Sequence, residues 1–443
     1  MPNQFAMIKQ ILVFGAGKSA TCLIDYIIKE AGINGWAVTV ADNDLSLAQF
    51  KTGQHTHARA VSINAEDTAG RNQLIKTADI VISLLSSALH FLVAQDCVLF
   101  GKNLLTASYT DAAIRGLQPA INDKKLLFLC EMGLDPGIDH MSAMQLVHRI
   151  RNEDGHITSF MSHCGGLVAP ESDDNPWHYK ISWNPHNIVL AGKSGAVYRQ
   201  DNKTKKMAYE KLFNENRFTG IPGIGSLAWY PNRDSLEYIN IYQLEGVETF
   251  IRTTLRYPQF CYAWKHIIDT QLTSETSFYE TDGMTLQAFF KQHFEQHGFT
   301  GKIEQQPGIF IKQLEWLGLQ DDITIINKGR CSAMDVLQFA LEKKLALKAG
   351  DKDMVVMLHE IEYLQDGKKF RVRSNLIVKG DDNQRTAMAK TVGLPLGIAA
   401  KLILQGKIKE TGLHIPVIPA VYEPVLQELQ QYGIAFHENT IAI

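Results

Sequence analysis

Glycines near the amino terminus have the spacing that binding of a phosphate-bearing ligand requires. Gly15-x-Gly17-x-x-Ala20 follows the apolar run at residues 8–14 and precedes a stretch with helical periodicity. The first glycine of such a turn permits a tight bend, the second admits a pyrophosphate close to the backbone, and a small third residue lets helix and strand pack together. The amino terminus of the helix offers unpaired N–H groups to the phosphates. We therefore predict a dinucleotide site that includes Gly15, Gly17, Lys18 and Ser19.

Asp42 bears on which dinucleotide binds, because it ends the second predicted strand shortly after this glycine turn. A carboxylate at that place binds the ribose hydroxyls of NAD and repels the 2′-phosphate of NADP, whereas NADP enzymes tend to place an arginine nearby. No basic side chain follows Asp42 and Asn43 until Lys51. The sequence predicts NAD, held in part by Asp42 and Asn43, with NADP as the alternative cofactor. A surface aspartate in a turn is the other interpretation of Asp42.

A series of short motifs then runs in order to residue 257. They are Ser83-Leu84-Leu85 with Leu89-His90, Thr106-Ala107-Ser108-Tyr109, Glu131-Met132-Gly133-Leu134-Asp135-Pro136-Gly137-Ile138-Asp139-His140-Met141, Cys164-Gly165-Gly166-Leu167, Tyr230-Pro231-Asn232-Arg233-Asp234-Ser235 and Thr254-Leu255-Arg256-Tyr257. In order and approximate spacing they resemble the glutamate-forming saccharopine dehydrogenase family, and the carboxy-terminal third resembles it more loosely. The pair Ser86-Ser87 departs from the Pro-Tyr that family members often have there.

The resemblance implies an activity. L-Saccharopine, NAD(P)⁺ and water would give L-glutamate, 2-aminoadipate 6-semialdehyde and NAD(P)H, as a step of lysine metabolism. The cofactor would accept hydride from the carbon beside the bridging nitrogen, and the imine would then be hydrolysed. That hydrolysis needs proton transfers but no strong covalent nucleophile.

The resemblance also implies roles for individual residues. The cofactor-facing set is Ser83, Leu84, Leu85, Thr106, Ala107, Gly133, Leu134 and Asp135. The substrate-lining set is Ser108, Tyr109, Asp135, Arg233, Thr254, Leu255 and Arg256. Asp135, Tyr109 and Cys164 are the candidates that orient the amine or the water. A substrate with three carboxylates fits this set, because guanidinium groups bind carboxylates in a bidentate manner.

Simpler interpretations of three of these residues stay open on the residues alone. Arg233 could pair with its neighbour Asp234 in a loop. Asp135 before a proline could be a turn former, and Tyr109 could be a core tyrosine. Cys164 follows His163, but adjacent residues of a strand point to opposite faces, so a Cys–His catalytic pair is not expected.

Three other functions compete with this one. One is an NADP-linked saccharopine reductase of lysine biosynthesis, and another is a related imine reductase such as carboxynorspermidine or lysine dehydrogenase. The third is a non-catalytic nucleotide sensor, since a fold alone does not imply catalysis. Asp42 argues against the first, and the arginines argue against the other two.

The predicted strands and helices that position these residues indicate an α/β protein. Strands alternate with helices over residues 1–131, which predicts a doubly wound Rossmann domain. Residues 132–385 read as a mixed α+β domain for substrate binding and catalysis, mainly helical at residues 280–350. Strands are expected at residues 157–162, 189–198, 249–256, 354–363 and 370–378. Residues 386–405 and 424–432 are predicted to be helical, and the segment 386–443 could pack back on the first domain.

Composition narrows the class of protein. The chain has 443 residues, 44 basic and 47 acidic side chains and a formal net charge of −3, which gives no pervasive positive field for nucleic acid or an anionic membrane. We expect a cytoplasmic protein and a homodimer built through the second domain. The six cysteines lack zinc spacing or a disulfide framework, and His55-x-His57 has no nearby carboxylate or thiol, so no metal site is expected.

Overall fold

The structure, a computed structural model, describes residues 8–215, 217–303 and 305–443. The strands in these residues are β1 (Gln10–Phe14), β2 (Ala37–Asp42), β3 (Ala58–Ser62), β4 (Ile80–Ser83), β5 (Asn103–Thr106), β6 (Leu127–Leu129), β7 (His156–Val168), β8 (Ala196–Gln200), β9 (Lys203–Met207), β10 (Arg217–Ile221), β11 (Gly225–Pro231), β12 (Arg233–Asp234), β13 (Thr249–Arg256), β14 (Phe278–Glu280), β15 (Arg330–Ser332), β16 (Asp353–Gln365), β17 (Lys368–Lys379), β18 (Gly412–His414) and β19 (His437–Ala442).

The α-helices of the described residues are α1 (Thr21–Asn34), α2 (Leu45–Thr52), α3 (Thr68–Thr77), α4 (Ser87–Phe100), α5 (Ala112–Gly116), α6 (Gln118–Asp123), α7 (Ile138–Asn152), α8 (His186–Val189), α9 (Glu237–Ile241), α10 (Pro258–Asp269), α11 (Leu286–Gln296), α12 (Gly308–Leu317), α13 (Ala333–Lys344), α14 (Ala387–Leu404) and α15 (Pro419–Leu429). A 3₁₀ turn, Lys18–Ala20, precedes α1.

The chain forms two compact units, and neither is continuous in sequence. Among the described residues, the first unit consists of residues 8–154 and 384–436, and the second of those within 155–383 and 437–443. By contacts, the boundary between the units lies at 154/155, because α7 packs against α15 within the first unit. The division into domains at 131/132 stays a prediction. The segment after residue 383 divides in the same way, since its last strand, β19, pairs with β17 of the second unit.

A parallel sheet of seven strands forms the centre of the first unit, in the order β18-β6-β5-β4-β1-β2-β3. Apart from β18, this is the 3-2-1-4-5-6 order of dinucleotide-binding folds, in which ligands bind outside the carboxyl ends of the strands. Strands β1 and β4 are almost entirely buried, as the continuous apolar runs in the sequence predict for a sheet covered on both faces. The α/β Rossmann class is confirmed.

Helix α14, with 18 residues, is the longest helix among the described residues of the first unit, and it is strongly apolar. By length and composition it could cross a membrane, but most of it is buried in this fold. It packs on α1, and two glycines permit the close approach. A Cβ at Gly393 would lie 2.8 Å from the backbone N of Leu23, and one at Gly397 would lie 2.6 Å from the ring of Tyr26. The helix is therefore part of the core of the first unit.

The second unit is built on a mixed sheet with the strand order β10-β11-β13-β7-β16-β17-β19, and β8, β9 and β12 attach beside it. The long hairpin β16–β17 turns at Asp366-Gly367, where both residues have positive φ, as the sequence predicts. The expectation of a strand over residues 189–198 was wrong in part. The segment begins in helix α8 and turns, and strand β8 starts only at Ala196.

The mainly helical part of the second unit contains α11, α12 and α13, together with the small antiparallel sheet of β14 and β15. Its core is aromatic. Phe260 and Trp264 stack at 5.3 Å, and Trp177 packs edge-on against both rings. Phe260 of this core contacts the guanidinium of Arg256, at the end of β13.

Candidate active site

The glycine turn in the first unit has the geometry that a pyrophosphate needs. Gly15 has φ +100°, and a Cβ there would lie 2.7 Å from the carbonyl oxygen of Leu84, so only glycine fits. Gly17 is exposed, and no atom lies within 4 Å of the place a Cβ would take. Neither the Lys18–Ala20 turn nor α1 has a side-chain cap. Uncapped N–H groups beside an open glycine fit the phosphates of a dinucleotide.

Asp42 lies at the carboxyl end of β2 and contacts this turn directly. Its Oδ2 accepts a hydrogen bond from Ala16 N at 2.6 Å, and its Oδ1 accepts one from Asp44 N at 2.9 Å. The carboxylate is therefore held at the rim of the phosphate loop. Asn43 and Asp44 are exposed beside it, and Asp44 caps α2 through Leu47 N at 3.0 Å. This corner is acidic.

The neighbouring strands end at the same edge of the sheet. Ser83 ends β4 and Thr106 ends β5, and both side chains are buried. Leu84 N donates to Phe14 O at 2.8 Å, which ties the loop after β4 to the end of β1. Leu84, Leu85 and Ala107 follow these strands and are partly exposed. The predicted cofactor-facing residues of this unit thus share one edge.

The loop after β6 folds back against the loop after β5. Met132 N donates to Thr106 O at 3.0 Å, and Glu131 N donates to Ser108 O at 3.2 Å. Two glycines shape the tight bend that follows. A Cβ at Gly133 would lie 3.1 Å from that of Ala107, and one at Gly137, which has φ +150°, would lie 2.0 Å from Gly133 O. The bond between Asp135 and Pro136 in this bend is cis.

Two of the three residues predicted to orient the amine or water lie together. The hydroxyl of Tyr109 donates to Oδ1 of Asp135 at 3.0 Å, and both residues are partly exposed. They are 26 residues apart and meet because β5 and β6 are neighbouring parallel strands. A phenol hydrogen-bonded to a carboxylate can hold and transfer a proton beside an amine. Tyr109 is partly exposed and not buried in the core, and the roles predicted for Tyr109 and Asp135 stay predictions.

A buried polar cluster supports the same loop. Glu131 accepts from Thr110 N at 3.0 Å and contacts His140 Nε2 at 3.0 Å, and His140 Nδ1 lies 3.6 Å from Asp139. Asp139 in turn accepts from Gly137 N at 2.6 Å. Burial alone would raise the pKa of Glu131, but the hydrogen bond and the charge of His140, with the Thr110 amide, outweigh it and lower that pKa.

Sequence reasoning assigned no role to Glu131, His140 or His90, although all three stand inside the quoted motifs. His90 is in the first turn of α4 and is bonded to Ser83 and to Ser108. All three side chains are buried, and the motifs alone give no signal of that burial.

Arg256, at the end of β13, is buried in the second unit, with 5% of its surface exposed. Its Nη1 donates to Leu255 O at 2.9 Å and to Gly166 O at 3.3 Å, and its Nε has no hydrogen-bond partner. The guanidinium lies 5.3 Å from the ring centres of Tyr179 and Phe260, a cation–π distance. No carboxylate of the described residues pairs with it. A buried cation of this kind is well suited to bind an external carboxylate.

Residues on β7 and β13 surround Arg256. Cys164 and Thr254 are direct neighbours in the parallel pairing of these strands, and the buried Cys164 interacts electrostatically with Arg256. Leu255, in contrast, is fully buried in an apolar cluster with Leu167 and Leu227. The role predicted for Leu255 in lining the substrate therefore depends on its backbone and not on its side chain.

Arg233 differs from Arg256 in its surroundings. It begins the two-residue strand β12, has φ +50° and is exposed. Asp234 accepts from Leu236 N at 2.8 Å, so its side chain caps the following turn. The role predicted for Arg233 in carboxylate binding stays a prediction.

His163 is directed away from Cys164, as strand geometry requires. Its Nδ1 lies 2.6 Å from Thr253 Oγ1 and its Nε2 lies 3.2 Å from Glu360 Oε2. Both ring nitrogens of His163 therefore have hydrogen-bond partners, one on β13 and one on β16. No Cys–His pair forms between these adjacent residues.

Comparison with known families covers almost the whole chain. A family model described as the saccharopine dehydrogenase NADP binding domain matches residues 11–129. A second, described as the saccharopine dehydrogenase C-terminal domain, matches residues 133–434. The two models are adjacent and in the order expected of one polypeptide.

Curated relatives agree with these matches. A saccharopine dehydrogenase [NADP(+), L-glutamate-forming] of Saccharomyces cerevisiae is 32% identical over 98% of this chain and 100% of its own length. An enzyme of the same name from Pyricularia oryzae is 31% identical over 98% and 99%. The mitochondrial alpha-aminoadipic semialdehyde synthase of Bos taurus is 32% identical over 97% of this chain, which corresponds to 47% of that longer protein.

A solved structure shares the fold. The apo saccharopine dehydrogenase (L-Glu forming) of Saccharomyces cerevisiae superposes with a TM-score of 0.88 at 30% identity, covering 98% of this chain and 100% of the other. The similarity therefore extends over both units.

Proposed function

This chain belongs to the saccharopine dehydrogenase family of oxidoreductases that act on CH–NH bonds, and from that premise we propose that it cleaves L-saccharopine oxidatively with NAD⁺ and water. The products are L-glutamate, 2-aminoadipate 6-semialdehyde, NADH and a proton. The observation that carries this proposal is the Tyr109–Asp135 pair at the cofactor edge of the parallel sheet.

The nicotinamide cofactor, when bound, accepts a hydride from the carbon beside the bridging nitrogen, which leaves an imine. In our proposal Tyr109 and Asp135 act on the steps around that transfer. The Asp135 carboxylate accepts a proton from the amine or from the water that attacks the imine, and Tyr109 orients it through the 3.0 Å hydrogen bond. The C–N bond then breaks, and the glutamate nitrogen leaves with a proton.

The residues around Arg256 supply binding rather than proton transfer. We assign Arg256 to one substrate carboxylate, because a buried guanidinium without an internal carboxylate gains most from an external one. Arg233 is assigned to a second carboxylate on the strength of its motif. Ser108 and Thr254 complete the polar contacts, and Cys164 acts by orienting its neighbours.

The preference for NAD in this proposal depends on Asp42. Its carboxylate is held at the rim of the phosphate loop by two backbone N–H groups, where a 2′-phosphate would meet a fixed negative charge. Like charges placed together cost several kcal/mol. Asp44 adds a second carboxylate nearby. The local charge therefore favours NAD over NADP.

An NADP-linked saccharopine reductase is the second candidate. Two of the relatives named above, from Saccharomyces cerevisiae and Pyricularia oryzae, carry NADP(+) in their names, and the matching model of the first unit is described as NADP binding. Both candidates use the same substrate chemistry and differ at the adenosine ribose. The direction in the cell does not change the residues involved.

The first test measures formation of reduced cofactor from L-saccharopine, with NAD⁺ and NADP⁺ supplied in parallel at mildly alkaline pH. We expect the higher kcat/KM with NAD⁺. Activity mainly with NADP⁺ would retain the reaction and overturn the role of Asp42. Inactivity with both cofactors would overturn the proposed substrate.

A matched pair of variants isolates Asp42. Asp42→Ser removes the carboxylate at the rim, and we expect the ratio of kcat/KM for NAD⁺ over NADP⁺ to fall by about tenfold or more. Asp44→Ser is the control, because serine retains the helix cap of α2 while one nearby carboxylate is also lost. If both variants changed the ratio equally, general charge and not Asp42 would set the preference.

A further inference from the structure

His90 joins two strand ends at the cofactor edge of the first unit. Its Nδ1 lies 2.8 Å from Ser83 Oγ, and its Nε2 lies 2.7 Å from Ser108 Oγ. The residue is 2% exposed, Ser83 is fully buried and Ser108 is partly exposed. The imidazole thus forms a chain of three side chains that runs from the interior outward to Ser108.

The imidazole is neutral in this chain. Both partners are hydroxyl groups and not carboxylates, and burial lowers the pKa of His90 to about 4. A neutral imidazole has one N–H donor and one acceptor nitrogen. One of the two serines must therefore donate to the ring, and the other must accept from it.

The burial of Ser83 decides which nitrogen carries the hydrogen. Ser83 Oγ makes its one side-chain hydrogen bond in the described structure to His90 Nδ1. If Nδ1 carried the hydrogen, the Ser83 hydroxyl would accept it and leave its own hydrogen without a partner in the interior, which is unfavourable. With the hydrogen on Nε2, Ser83 donates to Nδ1 and every group is satisfied.

The same tautomer directs the Ser108 hydroxyl outward. When Nε2–H donates to Ser108 Oγ, the hydroxyl hydrogen of Ser108 is available to a ligand. In the other tautomer the Ser108 hydroxyl would donate its hydrogen to Nε2 of His90 and present only lone pairs to the ligand. An ionised carboxylate has no hydrogen to donate, so it could not form a hydrogen bond with that hydroxyl. An anionic substrate therefore binds better to the first arrangement.

We propose that His90 is a positioning residue for the substrate, which holds the Ser108 hydroxyl as a donor to a substrate carboxylate through its Nε2–H group. The inference rests on the proposed function, because it takes the ligand of Ser108 to be a carboxylate of saccharopine. His90 itself touches neither substrate nor cofactor in this role.

Two substitutions of His90 separate its two hydrogen bonds. The side-chain amide of His90→Gln reaches about as far as Nε2 and retains a donor to Ser108. The amide of His90→Asn reaches only to the place of Nδ1 and retains the contact with Ser83. We expect His90→Asn to raise the KM for L-saccharopine about tenfold and His90→Gln to raise it by less than threefold. The KM for NAD⁺ should stay within twofold in both variants.

A double substitution tests whether His90 acts through Ser108. Ser108→Ala should raise the KM for saccharopine by itself, and adding His90→Asn should raise it little further, since the interaction is already lost. Additive effects would overturn the inference, as would equal KM values for His90→Asn and His90→Gln. An inactive wild type would instead overturn the proposed function.

A spectroscopic measurement tests the tautomer in the wild-type protein without relying on activity. In the wild-type protein with ¹⁵N-labelled histidine, His90 should show a protonated Nε2 and an unprotonated Nδ1, assigned against the spectrum of His90→Gln. The shifts should stay constant from pH 6 to pH 9. A protonated Nδ1 would overturn the inference even if the kinetic results agreed with it.

Discussion

Arg71 in the first unit and Arg256 in the second are both almost fully buried, at 3% and 5% exposure, yet their surroundings differ. Arg71 Nε lies 2.5 Å from Asp96 Oδ2, and its Nη1 donates to Ala65 O. Asn72, with its amide turned to donate, adds two contacts to Asp96 at 2.9 and 3.0 Å. Arg256 has two carbonyls and two aromatic rings as neighbours, and no carboxylate among the described residues.

The difference separates a structural charge from a functional one. A buried ion pair is complete within the fold, and removing one partner leaves the other uncompensated. A buried cation without a carboxylate keeps part of its desolvation penalty, which a ligand with the opposite charge can relieve. Burial of an arginine is therefore a poor guide to its role unless its partners are known.

The largest effect on stability is expected from breaking the internal pair. Arg71→Met leaves Asp96 buried without its cation and should lower the free energy of unfolding by about 3–5 kcal/mol. Chemical denaturation would measure the change. Arg71→Met combined with Asp96→Leu should recover most of the loss, and kcat per folded molecule should remain near the wild-type value in both proteins.

The reverse is expected of Arg256, where activity suffers more than stability. Arg256→Ala removes charged hydrogen bonds to the substrate that are worth about 1.5–3 kcal/mol, so kcat/KM for saccharopine should fall by roughly 10- to 150-fold. Arg256→Lys should be intermediate, since lysine retains the charge but lacks the bidentate fork. A loss of stability as large as that of Arg71→Met would contradict the comparison.

Arg233 offers a smaller effect of the same kind. It is exposed, and exposed ion pairs are worth at most about 1 kcal/mol. Arg233→Ala should therefore reduce kcat/KM for saccharopine by less than about tenfold and leave the melting temperature unchanged. Steady-state kinetics with saccharopine and a thermal melt would check both. An effect larger than that of Arg256→Ala would show that Arg233 provides the dominant carboxylate contact.

A buried histidine extends the comparison to a group that stays uncharged. His293 contacts Tyr279 Oη at 2.7 Å and Thr270 O at 2.8 Å, and burial lowers its pKa to about 4. The unfolded chain takes up a proton near pH 6.5 and the folded one does not, so stability is full above pH 6.5 and decreases from there toward pH 4. The slope should be about 1.4 kcal/mol per pH unit for this group.

Denaturation of His293→Gln at several pH values would test that slope. Between pH 6.5 and 4, the pH dependence of the free energy of unfolding should be weaker in the variant by the contribution of about one bound proton. The exposed His55→Gln serves as the control and should leave the dependence unchanged. A slope that persists in His293→Gln would assign the effect to other groups, such as His90.

Much of the fold could be predicted from the sequence, because buried parallel strands read as continuous apolar runs, as β1 and β4 do. The error at residues 189–198 has a local cause, since the apolar residues of the short helix α8 resemble those of a strand. The boundary at 154/155 could not be predicted from local pattern. It depends on the packing of α7 against α15, which are far apart in the chain.

The residues of the candidate site could be predicted where they belong to sequence motifs. Contacts that depend on the packing of distant segments could not be predicted. Tyr109 and Asp135 were both expected, and the adjacency of β5 and β6 brings them together. The Arg71–Asp96 pair has no sequence signal, because its members lie on the separate helices α3 and α4. Whether a buried polar residue serves the fold or a ligand depends on such partners.

The discontinuity of the two units has a consequence for how the polypeptide is made. The ribosome releases β1 to α7 first, but α14 and β18, which complete that unit, emerge only after all of residues 155–383. Until then the face of α1 that receives Gly393 and Gly397 remains uncovered. A chain truncated before residue 384 therefore lacks α14 and β18 and leaves this apolar face of α1 exposed, and exposed apolar surface favours aggregation.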